Sequence, residues 1–194
     1  MAILVRPFRN PVWAAISSPW LVWILCLCFL AEAATPGLAQ AADEYQVKAL
    51  FLYNFAKFVD WAPAMQAGSI CVGVLGDDSF GDVLEQIVKG KTVNGRSLVI
   101  KRLRRYEDGK TCHIIFVSAS EKKQLRAILS GLGNCGVLTV GEIEGFAASG
   151  GVINFEIVDS KVRFEVNIDA AERAGLKLSS KLLSLATIVP DGRP

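Results

Sequence analysis

Three cysteines, Cys71, Cys112 and Cys135, lie downstream of the apolar N-terminal stretch and are the residues best placed to do covalent chemistry. Each stands at or just before the head of an apolar, β-branched run: 70–75, 112–118 and 137–140. If these runs are parallel strands of a doubly wound sheet ordered 2-1-3-4, the first and third are neighbours, about 4.8 Å apart. That lies within the roughly 4.4–6.8 Å Cα span that a disulfide needs. The arrangement predicts Cys71–Cys112, which would close a loop of about 40 residues and contribute about 4 kcal/mol by restricting the unfolded chain. Cys112–Cys135 competes, because those strand starts are also neighbours. The thiol left over would be free or would pair with another chain.

Other reactive groups are sparse. Asp77 and Asp78 fall where the first strand ends, and Ser118 where the third ends, at the edge that forms the usual ligand crevice of an open α/β sheet. They are candidates for lining a small-ligand pocket. Paired aspartates there could also hold a cation, but Ser118 stands where a phosphate-accepting carboxylate would be needed, and turn formation or helix capping explains both aspartates. His113 is the single histidine, and it reads as a structural or surface residue. Gly73 and Gly76 have the wrong spacing for a dinucleotide fingerprint. No Gly-x-Ser-x-Gly elbow occurs, and a zinc site would need at least three ligands. Glu142, Glu144, Glu156 and Glu165 are scattered. The expectation is a non-enzyme without cofactor or metal.

The elements that position these groups follow from pattern. Residues 44–61 predict a helix with Tyr45, Ala49, Phe51, Leu52, Phe55, Ala56, Phe58 and Val59 on one arc, ended by Pro63. Leu50, Tyr53 and Trp61 fall off that arc. They are either covered by other parts of the fold or form a partner surface. Short strands at 70–75, 97–103, 112–118 and 137–140 alternate with helices near 80–89 and 120–130. This rhythm argues for a mainly parallel sheet flanked by helices on both faces. Segments 152–157 and 161–167 then form an antiparallel hairpin, with Val162, Phe164, Val166 and Ile168 inward and Lys161, Arg163, Glu165 and Asn167 outward. Short helices at 169–175 and 179–187 close the chain.

Arg6 and Arg9, an apolar run over 21–31 and small residues around Ala39–Ala41 make a secretory signal peptide, with cleavage expected near Ala41. The run is short for a membrane span. The expected mature domain, 42–194, keeps 19 basic and 18 acidic residues. The chain is 52% hydrophobic and 21% charged, which excludes disorder and gives no basic face for nucleic acid. Export places the protein in an oxidising compartment.

Six segments in order, 44–61 (EYQVKALFLYNFAKFVDW), 73–81 (GVLGDDSFG), 89–98 (KGKTVNGRSL), 112–118 (CHIIFVS), 138–155 (LTVGEIEGFAASGGVINF) and 162–186 (VRFEVNIDAAERAGLKLSSKLLSLA), resemble the YfiR family of small periplasmic regulators. The resemblance implies an α/β fold, self-association as a homodimer and a disulfide at the positions of Cys71 and Cys112. It implies action by contact: repression of an inner-membrane diguanylate cyclase or related sensor through its periplasmic domain, lowering cyclic-di-GMP and biofilm formation. Relief would come through an outer-membrane-associated partner or redox stress. Some members carry a second cysteine pair, for which Cys135 has no mate here. The candidate partner surface is the hairpin's wet face (Arg163, Glu165) with Gly151, Ile153 and Phe155, where the glycines would admit another backbone. A periplasmic small-ligand sensor is the alternative reading.

Overall fold

The computed structural model describes residues 36–192. The chain divides into units 1–39 and 40–194, and the fold below is that of the second. The expected signal run lies outside the described residues. Helix α1, Pro36–Phe58, begins upstream of the expected cleavage point.

The centre of the sheet is four parallel strands: β2 (Ile70–Leu75), β4 (Arg96–Leu103), β5 (Ile114–Val117) and β6 (Leu138–Gly141). They lie in the order β4-β2-β5-β6, the 2-1-3-4 arrangement on which the expected Cys71–Cys112 pairing is conditional. Strand β7 (Ile153–Val158) joins β6 in parallel, and β8 (Lys161–Val166) returns antiparallel to it. Two short edges complete eight strands: β3 (Thr92–Val93) on β4, and β10 (Thr187–Ile188) on the last two residues of β8. Helices α2 (Val83–Val88), α3 (Leu125–Leu132), α4 (Ile168–Arg173) and α5 (Ser180–Leu183) connect the rest. The mainly parallel α/β sheet with flanking helices and a C-terminal hairpin stands as expected.

Strands buried on both faces divide their side chains between two cores. Val72, Val74, Ile114 and Phe116 face Leu52, Phe55 and Ala56 of α1, where Phe51, Phe55, Phe155 and Phe164 form an aromatic cluster. Cys71, Leu75, Ile115 and Val117 face Ile128, Leu129 and Leu132 of α3.

Several local expectations change. The first helix stops at Phe58 rather than running to Trp61. Val59–Asp60 forms a strand, β1, paired with β9 (Lys177–Leu178), and the Ser179 N–H donates to the Phe58 carbonyl. The segment after β5 opens as a 3₁₀ turn, Ala119–Gln124, before α3. Asn167 is fully buried instead of wet: its side-chain oxygen accepts from Ala170 N–H to cap α4, and its amide donates to the Ala147 carbonyl.

Candidate functional site

Two chemically dense regions occupy opposite ends of the parallel strands. At the N-terminal end Cys71 and Cys112 are joined, with Cα atoms 4.6 Å apart. Gly73 makes room beside them, since a Cβ there would lie 2.6 Å from Leu103 and 3.5 Å from Cys112 Sγ. His113 follows directly and holds both backbone groups of Cys71. Its N–H donates to the Cys71 carbonyl at 2.9 Å, and its Nδ1 accepts from the Cys71 N–H at 3.1 Å. Accepting at Nδ1 fixes the proton on Nε2, which donates to the Met65 carbonyl at 2.6 Å. Arg96 lies 2.7 Å from the same Nε2 and gathers the carbonyls of Met65, Ala67 and Gly68. Burial lowers the His113 pKa, the Met65 carbonyl opposes this, and the Arg96 charge lowers it further. Cys135 is free and half-buried, 3.5 Å from the Gly131 carbonyl.

Trp61 belongs to this region and not to a surface. It is buried, its indole N–H donates to the His113 carbonyl at 3.1 Å, and its ring meets the imidazole edge-on. Its candidacy as a partner contact is withdrawn. Leaving the helix at Phe58 turns the chain and carries Trp61 inward.

At the C-terminal end, Asp77, Asp78 and Ser118 come to one edge, where the Asp78 carboxylate, the Ser118 hydroxyl and the Asp77 N–H bond within the turns. Asp78 accepts from Phe80 and Gly81 N–H groups and from Arg102, which also binds Glu85. Ser118 is buried and accepts weakly from Ser120 N–H, while the Asp77 N–H donates to Ser120 Oγ. The turn-forming reading is the one the Asp78 contacts support, while the N-cap of α2 is Asp82, whose side chain makes no capping bond.

The crevice beside them is filled by α1. Lys48 Nζ lies 2.6 Å from Glu142 Oε2 and 2.5 Å from Glu44, and Tyr45 OH donates to Glu142 at 3.0 Å. The Lys48 and Glu142 side chains are 4% and 7% exposed. Burial alone would lower the Lys48 pKa, but the hydrogen bonds to Glu142 and Glu44 outweigh it and raise the ammonium above its ordinary value. Burial also raises the Tyr45 phenol. Sequence reasoning missed this cluster, although Lys48 falls inside the apolar arc of α1, one turn from Glu44, where an unpaired charge would be costly.

On the hairpin, Gly151, Ile153 and Phe155 are interior and are withdrawn as contact residues. A Cβ on Gly151 would lie 2.1 Å from Phe146, so that glycine admits a side chain of its own chain. Arg163 is exposed opposite Glu156, and half-buried Glu165 accepts from the Asn154 amide at 3.3 Å. Burial, then the neighbouring Glu165, raises the Glu156 pKa. Tyr53 is half-buried, with Lys57 and Lys91 over its ring at 4.2 and 4.8 Å. No described helix is long and apolar enough to cross a membrane, and no group of three or more His, Cys, Asp or Glu that could hold a metal ion occurs among the described residues.

A family model described as YfiR/HmsC-like matches residues 45–187. No curated protein matches. Among solved structures, a conserved domain protein from Vibrio cholerae superposes with a TM-score of 0.52 at 10% identity, over 72% of this chain and 59% of that one. The chain therefore spans somewhat over half the length of that protein, and the likeness is one of fold. The ABC domain in complex with L-Trp from Streptococcus pneumonia gives a TM-score of 0.49 at 10% identity, over 75% and 60% of the two chains.

Proposed function

The chain belongs to the YfiR/HmsC-like family, and we propose that it is an exported repressor of an inner-membrane diguanylate cyclase or related sensor, acting by contact from the periplasm. The family regulates cyclic-di-GMP signalling from that compartment. The observation that carries the reading is the family match over 45–187, nearly the whole body that the described fold comprises. The Cys71–Cys112 bridge inside it supports an oxidising location.

Such a protein needs no catalytic group. It has to bind one conformation of the partner's periplasmic domain better than another, and a tenfold bias takes about 1.4 kcal/mol. The crevice where an α/β enzyme or binding protein would hold a ligand is occupied by Tyr45 and Lys48, which favours surface contact over a pocket at that edge. Arg163 and Glu165 remain surface candidates for the cyclase, a second copy or an outer-membrane-associated protein.

Deleting the gene in its host should raise cellular cyclic-di-GMP and surface attachment, and the full-length chain supplied in trans should reverse both. Periplasmic fractionation with N-terminal sequencing should find the protein cut near Ala41. Unchanged cyclic-di-GMP after deletion would remove the signalling assignment, and cytosolic protein with an intact leader would remove the location.

A further inference from the structure

The C-terminal half of α1 carries an arrangement that the fold alone does not explain. Tyr53 and Lys57 are one helical turn apart, and Lys91 reaches the same ring from the segment between α2 and β3. Two ammonium groups therefore share one phenol ring. Among the described residues neither has a carboxylate partner, whereas Lys48, Arg102, Arg105 and Arg173 each have one. With both ammonium groups at 4.2 and 4.8 Å from the one ring centroid, a carboxylate placed beside that ring would be attracted by both. Leu50 sits one turn before Tyr53 and is 44% exposed. From Lys91 a groove of about 520 Å³ runs between α2 and β4, with Val88, Leu98 and Ile100 as its apolar lining.

Resting on the contact reading above, we infer that this surface docks a segment of a protein partner that carries carboxylates beside an apolar side chain. A carboxylate sits beside the Tyr53 ring within reach of Lys57 or Lys91, and the apolar side chain enters the groove. Tyrosine is suited to the centre of such a contact, being large, stiff and polar at one end. A membrane surface is a poorer occupant. The domain has almost no net charge to draw it to anionic lipid.

The test places a photo-activated cross-linking residue at Leu50 of the full-length chain in its host, and for comparison at exposed Ala127 on α3, which packs on the opposite sheet face. The expected result is an adduct from position 50 and not from 127, mapped by mass spectrometry to a segment of an envelope protein bearing at least two carboxylates. Lys57→Glu with Lys91→Glu should reduce it about tenfold, the scale of about 1.4 kcal/mol, and Lys57→Arg with Lys91→Arg should retain it. Protein abundance and the Cys71–Cys112 bridge, read in the same cells, separate lost docking from lost folding. No adduct, an adduct indifferent to charge reversal, an adduct with a second copy, or flotation of purified protein with phosphatidylglycerol vesicles that the reversal abolishes would each overturn the inference. Cellular cyclic-di-GMP is measured separately. A charge-dependent adduct in a strain whose cyclic-di-GMP ignores deletion retires the signalling reading and keeps the docking site; the converse keeps the signalling and retires the site.

Discussion

The two hydrogen bonds of the His113 ring can coexist only while the ring is neutral, because Nδ1 must accept from Cys71 while Nε2 donates to Met65. Burial lowers its pKa below the ordinary value near 6.5. A base whose folded pKa is depressed binds its proton more readily when unfolded. Its contribution to stability is therefore fully present above about pH 6.5 and is lost progressively as the pH falls below that value. Urea midpoints measured between pH 7.5 and 5.5 should fall for the native protein and stay nearly level for His113→Gln. The assignment is clean because the chain has one histidine, and because Glu156, with a raised pKa, shifts stability in the opposite direction. A midpoint that fell equally in both proteins would remove His113 as the cause. The sequence leaves this residue as structural or surface and does not show its hold on Cys71. That hold depends on where the loop from Trp61 to Ser69 returns, a non-local fact. Gly151 and Trp61 mislead for the same reason: a glycine pair and an off-arc aromatic look like surface features until Phe146 and the bend at Phe58 are known.

At the scale of elements, α1 both covers one sheet face and closes the crevice at the strand ends. Its apolar arc is legible in sequence, as are the strands and the hairpin, because period and run length are local properties; the strand order enters only as the common doubly wound arrangement. Its second task is not, because Lys48 and Glu142 are 94 residues apart. The pair is desolvated, so each ion depends on the other. Lys48→Met leaves the Glu142 carboxylate buried with only Tyr45 OH and the Ala119 N–H, and should cost about 3–5 kcal/mol. Lys48→Met with Glu142→Leu removes both charges and should cost much less than the sum of the single changes, or nothing. A double-mutant cycle in urea reads the coupling directly. Additive losses would show that the two side chains act independently and that α1 is held by its apolar face alone.

For the whole molecule, the decisive link is the one between the sheet's central strand and its neighbour. Cys71–Cys112 joins β2 to β5, and the side chains of both strands divide between the α1 core and the α3 core. Breaking the bridge therefore loosens no single face; it frees a long loop in the unfolded chain and lowers the stability of the body as a unit. Cys71→Ala with Cys112→Ala should lose about 4 kcal/mol in the chain-entropy account. Its denaturant slope should steepen, because the unlinked chain exposes more surface when it unfolds. The folded state should otherwise persist, since His113 still holds the Cys71 backbone and Trp61 still packs against the imidazole. The fall in midpoint below pH 6.5 should then survive in the double variant on a lower baseline. A midpoint unchanged by the substitutions would mean that the bridge adds nothing to the fold. Loss of the pH response with the bridge would mean that the disulfide, and not the imidazole, holds the N-terminal ends of the strands together.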